Sequence, residues 1–266
     1  MSVGSTEPRG SRFGVVLPQG WRGDLADRDF ETVAGVARAA DELGFDSVWM
    51  YDHLQTRDGD PAPVLECWTA LAALARETKR VRLGQIVTCA LYRNPGLLAQ
   101  MASTLDAATG DRVFLGVGAG WDEREYIDFE YGEALPPVRD RLAHLVHTLQ
   151  VLRSRRPERP ILVGGAGEKV LLRLVAEYAD ACNFTDSYDP AFYRHKLAVL
   201  HDHCHAVGRD YDEILKTASF TVGQGVEVDF QALSAAGIEY FIVYLDPPSD
   251  LSALERFASS VGMSKT

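Results

Sequence analysis

The sequence predicts a (β/α)8 TIM barrel, and three observations carry that reading. Eight apolar, β-branched runs alternate with stretches of helical periodicity along the whole chain. The 266 residues divide into about 33 per unit, the size of a strand, a helix and their turns. The first strand exits into Pro18-Gln-Gly-Trp21, without the glycine fingerprint that a doubly wound dinucleotide-binding sheet places there. No linker or low-complexity tract divides the chain. Residues 12–266 are therefore expected to form one domain, behind a disordered polar tail over residues 1–11.

The elements follow in order. Phe13–Pro18 is the first strand. Phe30, Val33, Val36, Ala37, Ala40 and Leu43 then keep helical spacing and stop at Gly44, which is free to adopt the left-handed conformation that ends helices. Ser47–Asp52 is the second strand, and Val64–Thr78 gathers Leu65, Trp68, Leu71 and Ala75 on one helical face. After the third, Val81–Thr88, Asn94-Pro95 offers an N-cap and a proline at the first helical position, and Gly110 closes that helix. Val113–Gly118 leads to a helix over Val138–Leu152, and Ile161–Gly164 to one over Val170–Tyr178. Ala181–Phe184 precedes Phe192–Val207, ended by Gly208; Leu215–Val222, Tyr240–Leu245 and a last helix, Leu251–Val261, complete the set.

Composition narrows the partners. A net charge of -11 argues against nucleic acid or an anionic membrane surface. No apolar run approaches the ~18 residues that span a bilayer. Met1–Ser11 lacks the apolar segment of a secretory signal. Cys67, Cys89, Cys182 and Cys204 are far apart in apolar surroundings, as expected of reduced thiols in a cytoplasmic protein.

In a barrel, function belongs to the C-terminal strand ends. Gly164-Gly-Ala-Gly-Glu-Lys169 lies between the fifth strand and a helix expected to begin near Glu168. It suits a phosphate held by backbone amides with Lys169 adding charge, or a tight turn without a ligand. Gly116-Val-Gly-Ala-Gly120 fails the dinucleotide pattern because Trp121 takes the last glycine position. Backbone approach to a planar ring and plain packing both account for it. His53, after Asp52 at the second strand end, is an acid/base candidate because imidazole titrates near neutrality. His201-Asp-His-Cys-His205 is read as a solvated helix face with Cys204 inside, and no metal site is expected. The run Arg153–Arg159 is read as a solvated basic turn.

Together these segments resemble the bacterial luciferase-like superfamily and, within it, the coenzyme F420-dependent oxidoreductases. The matching pieces are Phe13-Gly-Val-Val-Leu-Pro-Gln19, Ser47-Val-Trp-Met-Tyr-Asp-His-Leu54, Trp68–Leu74, Arg82-Leu-Gly84, Val87-Thr88, Tyr92-Arg-Asn-Pro95, Leu105–Tyr126, Pro160–Gly165 and Tyr178–Asn183. The resemblance implies a barrel that binds F420, or FMN, at its C-terminal mouth. It implies that Asp52 and His53 lie beside the deazaflavin ring and that a cis peptide at Ile86-Val87 backs it, with Thr88 following. Ala119 and Gly120 would touch the cofactor through their backbone, and Gly164, Gly165 and Thr185 would hold its phosphate. Gly167 and Lys169 join them from the loop reading, Lys169 standing in for a basic residue that some members carry where this chain has Ser187 and Tyr188. His53 is then the catalytic acid/base and Glu125 a second. The expected activity is hydride exchange between F420 and a small organic substrate. An FMN-dependent monooxygenase and a cofactor-binding barrel without turnover are the alternatives, and a homodimer is left open. One departure stands out: Leu152 reaches Ile161 through a short turn, where the family has a long insertion.

Overall fold

The computed structural model describes residues 12–25, 29–59, 62–156, 158–185, 187–223 and 225–263. The tail expected over residues 1–11 lies outside them. Nine strands are present among the described residues: β1 (Arg12–Val16), β2 (Ser47–Met50), β3 (Arg82–Gln85), β4 (Thr88–Cys89), β5 (Val113–Gly118), β6 (Ile161–Gly164), β7 (Ala181–Thr185), β8 (Leu215–Val222) and β9 (Tyr240–Leu245). All pair in parallel, and β9 returns to β1 to close the ring. Most of their residues are buried and apolar, which makes them stand out in the sequence; β8, with Lys216, Thr217, Ser219 and Thr221, is the most polar.

The third predicted strand is split in two. β3 pairs with β5 through Leu83–Val113 and Gly84–Phe114, and β4 pairs with the same strand through Thr88–Val117 and Cys89–Gly118. Between them the Ile86–Val87 peptide bond is cis. Both segments are one stave, so the barrel has eight.

The helices are α1 (Phe30–Leu43), α2 (Cys67–Glu77), α3 (Pro95–Thr109), α4 (Glu123–Asp128), α5 (Val138–Arg155), α6 (Leu171–Tyr178), α7 (Pro190–Val207), α8 (Phe230–Ala235) and α9 (Leu251–Ser260). Side chains of Asp29, Asn94 and Asp189 cap α1, α3 and α7, and Gly44, Gly110 and Gly208 end them with positive φ. The six-residue α4 and α8 were not anticipated, because a helix that short shows no period. Helix α6 begins at Leu171, three residues past the expected start at Glu168.

Two apolar layers hold the molecule. Val33, Leu71, Leu98 and Leu149 pack between helices and barrel, while Val16, Trp49, Phe114, Leu162, Tyr240 and Ile242 fill the barrel itself. Trp49 fits inside because β3 carries Gly84 beside it: a Cβ there would lie 2.3 Å from the indole. Below, the Tyr240 hydroxyl bonds to Ser47 and donates to Asp46. These side chains plug the barrel interior toward its floor, below the cavity at the C-terminal mouth.

Three of the four arginines in the basic run Arg153–Arg159 are paired and Arg155 is exposed, so the run is only partly the solvated turn expected. Arg153 meets Asp180 at 2.5 Å, Arg159 meets Asp111 at 2.5 Å, and the buried Arg156 meets Asp106 at 2.5 Å. The run locks α5 to the barrel floor. In α7, Cys204 is buried and His201 exposed. All four cysteines are buried and free. No helix among the described residues is long and apolar enough to cross a membrane.

Candidate active site

The open mouth is a cavity of about 470 Å³, and all eight staves line it. Val16, Trp21 and Arg22 come from the first exit, Tyr51, Asp52, His53 and Arg57 from the second. Ile86, Val87, Cys89 and Tyr92 follow from the split stave.

His53 is held on several sides. Its ring lies parallel to the Trp21 indole, with centroids 4.3 Å apart and planes 4° apart, and Trp121 meets it edge-on at 5.4 Å. Nδ1 lies 3.0 Å from Glu125 Oε2. Glu125 is fully buried on α4, delivered there by the β5 exit and the Asp122 cap, which accepts the Glu125 amide at 3.0 Å. The Leu54 and Gln55 amides and the Tyr92 hydroxyl also donate to its carboxylate. Burial works to raise its pKa, but the hydrogen bond and charge of His53, then Tyr92 and Leu54, outweigh this and hold it below the ordinary carboxylate range. Burial and the same Glu125 contact push the Tyr92 phenol well up. Glu125 is therefore an ionised group whose oxygens are filled by donors. It orients His53, whose Nε2 has no protein partner among the described residues. His53, Asp122 and Glu125 are near enough to share a cation, but these donors already occupy the Glu125 oxygens a metal would need.

Asp52 is pinned. Arg93 contacts it through two nitrogens at 2.6 and 2.9 Å and reaches on to Glu66 at 2.7 Å, while the Cys89 amide donates to it at 2.9 Å. Burial disfavours the Arg93 charge, and the Asp52 and Glu66 carboxylates more than offset it, raising its pKa. Asp52 thus ties the second exit to the cis stave. Gln19 does similar work at the first exit: its Nε2 donates to the Tyr51 and Leu65 carbonyls, and its Oε1 accepts the Tyr51 amide.

Val87 explains the glycines. A Cβ on Gly118 would lie 2.6 Å from its side chain, and one on Gly164 2.9 Å; one on Gly116 would lie 2.0 Å from the Gln85 carbonyl. Packing around the cis stave therefore requires these three. Gly120 is different: it has φ +77° beside Cys89 Sγ, and its carbonyl accepts from Arg141.

At the β6 exit, Gly165 has φ +126° and its amide donates to Asn183 at 3.0 Å. That amide is spoken for, so it cannot serve the phosphate role expected of it. The amides of Ala166, Gly167, Glu168 and Lys169, just before α6, donate to nothing among the described residues. Glu168 is held by Lys196 at 2.5 Å and His195 at 3.0 Å, which lower its pKa.

Of the residues singled out in the sequence, His53, Glu125, Asp52, Ile86, Val87, Ala119, Gly120, Gly164, Gly165 and Thr185 all line the one cavity. Thr88 is buried outside it, with its hydroxyl unpartnered. Gly167 and the exposed Lys169 lie beyond its wall. Sequence reasoning missed Arg22, Arg57, Asn183, Ser219 and Tyr244. Arg22 stands beside a tryptophan at a strand exit, which was a usable signal; the others carry none.

Residues 11–225 match the luciferase-like monooxygenase family. The F420-dependent glucose-6-phosphate dehydrogenase of Nakamurella multipartita is 31% identical over 209 residues, 68% of this chain and 60% of that protein. That of Microbacterium testaceum is 33% identical over 201 residues, 66% of this chain and 59% of the relative. The chain thus spans about three-fifths of the length of these curated relatives. Among solved structures, an F420-dependent secondary alcohol dehydrogenase in complex with an F420-acetone adduct superposes with a TM-score of 0.77 at 18% identity, covering 93% of this chain and 98% of that one. The coenzyme F420-dependent tetrahydromethanopterin reductase of Methanopyrus kandleri gives 0.72 at 15%, covering 93% and 97%. At such identities the likeness is one of fold.

Proposed function

The chain belongs to the luciferase-like monooxygenase family, and from that premise we propose that it is an oxidoreductase exchanging a hydride between coenzyme F420 and a small organic substrate. The observation that carries this reading is the His53–Glu125 pair, set in an aromatic cavity against the Ile86–Val87 stave. The F420 dependence in the names of the curated relatives supports it.

The residues present fit such a group. Ile86, Val87 and Ala119, with the backbone of Gly118 and Gly164, give the cavity an apolar wall against which a flat ring can lie. The undonated amides of residues 166–169 give its phosphate a place at the start of α6, adjoining Gly164, Gly165 and Thr185. When bound, F420 supplies the redox chemistry at its deazaflavin ring.

The chain supplies positioning and a proton path. Ionised Glu125 bonds to Nδ1 of His53, which assigns the proton to that nitrogen and leaves Nε2 as the acceptor. In substrate oxidation Nε2 takes the hydroxyl proton; in reduction the imidazolium returns it. Glu125 stabilises the cation so formed, as the aspartate does for the histidine of a serine-protease triad. Trp21 and Trp121 cover the imidazole and hold it against rotation. Glu125 is a positioning residue in this scheme, which revises its expected role as a second acid/base. Small-molecule chemistry and four free buried thiols suit a reducing, cytoplasmic setting.

Titration of the purified protein with F420 and with FMN, read by cofactor fluorescence, tests the reading. Saturable F420 binding, weaker FMN binding and turnover of F420 with an alcohol, enone or imine are expected. Tight FMN binding with substrate-dependent oxygen uptake would replace it by an FMN monooxygenase. F420 binding without turnover of any such compound would leave a binding-only barrel.

A further inference from the structure

Arg22 and Arg57 do work that the scheme above does not use. Carboxylates outnumber lysines and arginines in this chain, 38 to 27, and its more buried cations meet acids: Arg93 with Asp52, Arg156 with Asp106, Lys216 with Glu239. Arg112 instead spends its guanidinium on the backbone carbonyls of Ala75, Thr78, Val81 and Thr109. Arg22 and Arg57 both line the cavity, and neither has a carboxylate partner among the described residues.

Their setting is built. The Arg22 guanidinium lies 4.0 Å from the Tyr244 ring centroid and donates to the Thr221 and Tyr51 hydroxyls, at 3.2 and 3.0 Å. These neutral partners fix its direction, and its terminal nitrogens keep N–H groups that no hydrogen bond among the described residues uses. The acid close by is Asp24, which is engaged by the Tyr244 hydroxyl and the Gln19 and Gly20 amides. Arg57 stands over Trp21 at 5.9 Å, as Arg22 does at 5.6 Å. The two guanidiniums therefore flank the indole on which His53 stacks.

Position around the ring assigns the ligand. In an eight-stave barrel the first and second staves face the fifth and sixth. Arg22 and Arg57 leave the first two, whereas the amides before α6 and Thr185 leave β6 and β7. An anion at the arginines is thus across the mouth from the cofactor phosphate and next to the imidazole. We propose that Arg22 and Arg57 form an oxyanion subsite for the substrate, so that the enzyme acts on small organic acids or phosphate esters. The assignment to substrate rests on the F420 reading; the anion site itself does not.

Calorimetric titration of the cofactor-free protein with benzoate, benzamide and inorganic phosphate tests the site, in wild type, Arg22→Gln and Arg57→Gln. Benzoate should bind and benzamide should not, and each substitution should weaken benzoate by about tenfold or more. Phosphate binding with the same dependence would extend the site to phosphate esters, and its absence would restrict it to carboxylates. Equal binding of benzoate and benzamide, or benzoate binding unchanged in both variants, overturns the proposal. The exposed Arg57 serves if Arg22→Gln does not fold. F420 affinity measured in parallel separates the two readings. Arginine-dependent benzoate binding without F420 binding defeats the cofactor assignment alone; F420 binding without benzoate binding defeats the subsite alone.

Discussion

In the proposed scheme Glu125 acts through His53 without touching substrate. Four donors converge on a carboxylate with no solvent exposure, and an amide would keep an acceptor for those on one oxygen and turn an NH2 against those on the other. Glu125→Gln keeps the shape and should cost about 2 kcal/mol of stability, since a buried donor loses its acceptor. Catalysis should suffer more than folding: kcat falls about 10²-fold while KM changes little, because the imidazole loses its tautomer control and its counter-charge. Steady-state kinetics beside urea unfolding would check both, with partial rescue by Glu125→Asp; unchanged kcat in a folded variant would remove Glu125 from the mechanism. His53 was legible because a histidine at a strand end carries its own chemistry. The filled shell of Glu125 was not, since its donors come from Leu54, Gln55 and Tyr92, tens of residues away in sequence and adjacent only once the second, third and fourth exits meet. Arg22 carried a signal, a tryptophan beside it at a strand exit, but its pairing with the Thr221 and Tyr51 hydroxyls is a property of the fold.

At the scale of elements, the β3–β4 stave and the β6 exit divide the labour that the glycine-rich segments suggested. Gly116, Gly118 and Gly164 answer to the packing around the cis stave, so their spacing reports a neighbour and only indirectly a ligand. The segment over residues 166–169 has amides without partners among the described residues, which is why the proposed cofactor phosphate is assigned to it. Gly167→Asp places a carboxylate there at little steric cost, because the nearest atom to its Cβ is the flexible Leu171 Cδ1 at 3.3 Å. F420 affinity should fall about tenfold or more from like-charge repulsion, with unfolding unchanged. Unchanged affinity would move the phosphate elsewhere. Gly165 would be a poor choice for the same test, since its positive φ and the 2.6 Å approach of Leu171 would confuse strain with repulsion. The long elements were legible because capping residues and period agreed over many residues. The short α4 was invisible, and it is the element that carries Glu125.

For the molecule as a whole, two electrostatic effects oppose each other as pH falls. Protonation relieves the self-repulsion of a chain with net charge -11, which favours the compact state. Against it stand carboxylates that hold backbone amides in the fold. Asp41 accepts from Lys79, Arg80 and Val81 at the turn between α2 and β3, and Glu66 caps α2. Burial raises the pKa of each, but these bonds outweigh it and leave both, like Glu125, below their ordinary values. A depressed folded pKa means the unfolded chain binds the proton first. Its stabilisation is complete above the ordinary carboxylate range and is lost as pH falls through the lower, folded value. Repulsion is diffuse and screened by salt, whereas these bonds are local and lost whole, so the bonds decide the outcome. The urea midpoint should hold or rise slightly from pH 8 to about 5 and then drop steeply. Asp41→Asn should lower the midpoint at pH 7 and flatten the drop, because its amide accepts fewer of the three N–H groups and does not titrate. Below the isoelectric point near 5.1 protonation no longer relieves repulsion, so a midpoint that stays level below pH 4 would mean that these turns contribute little.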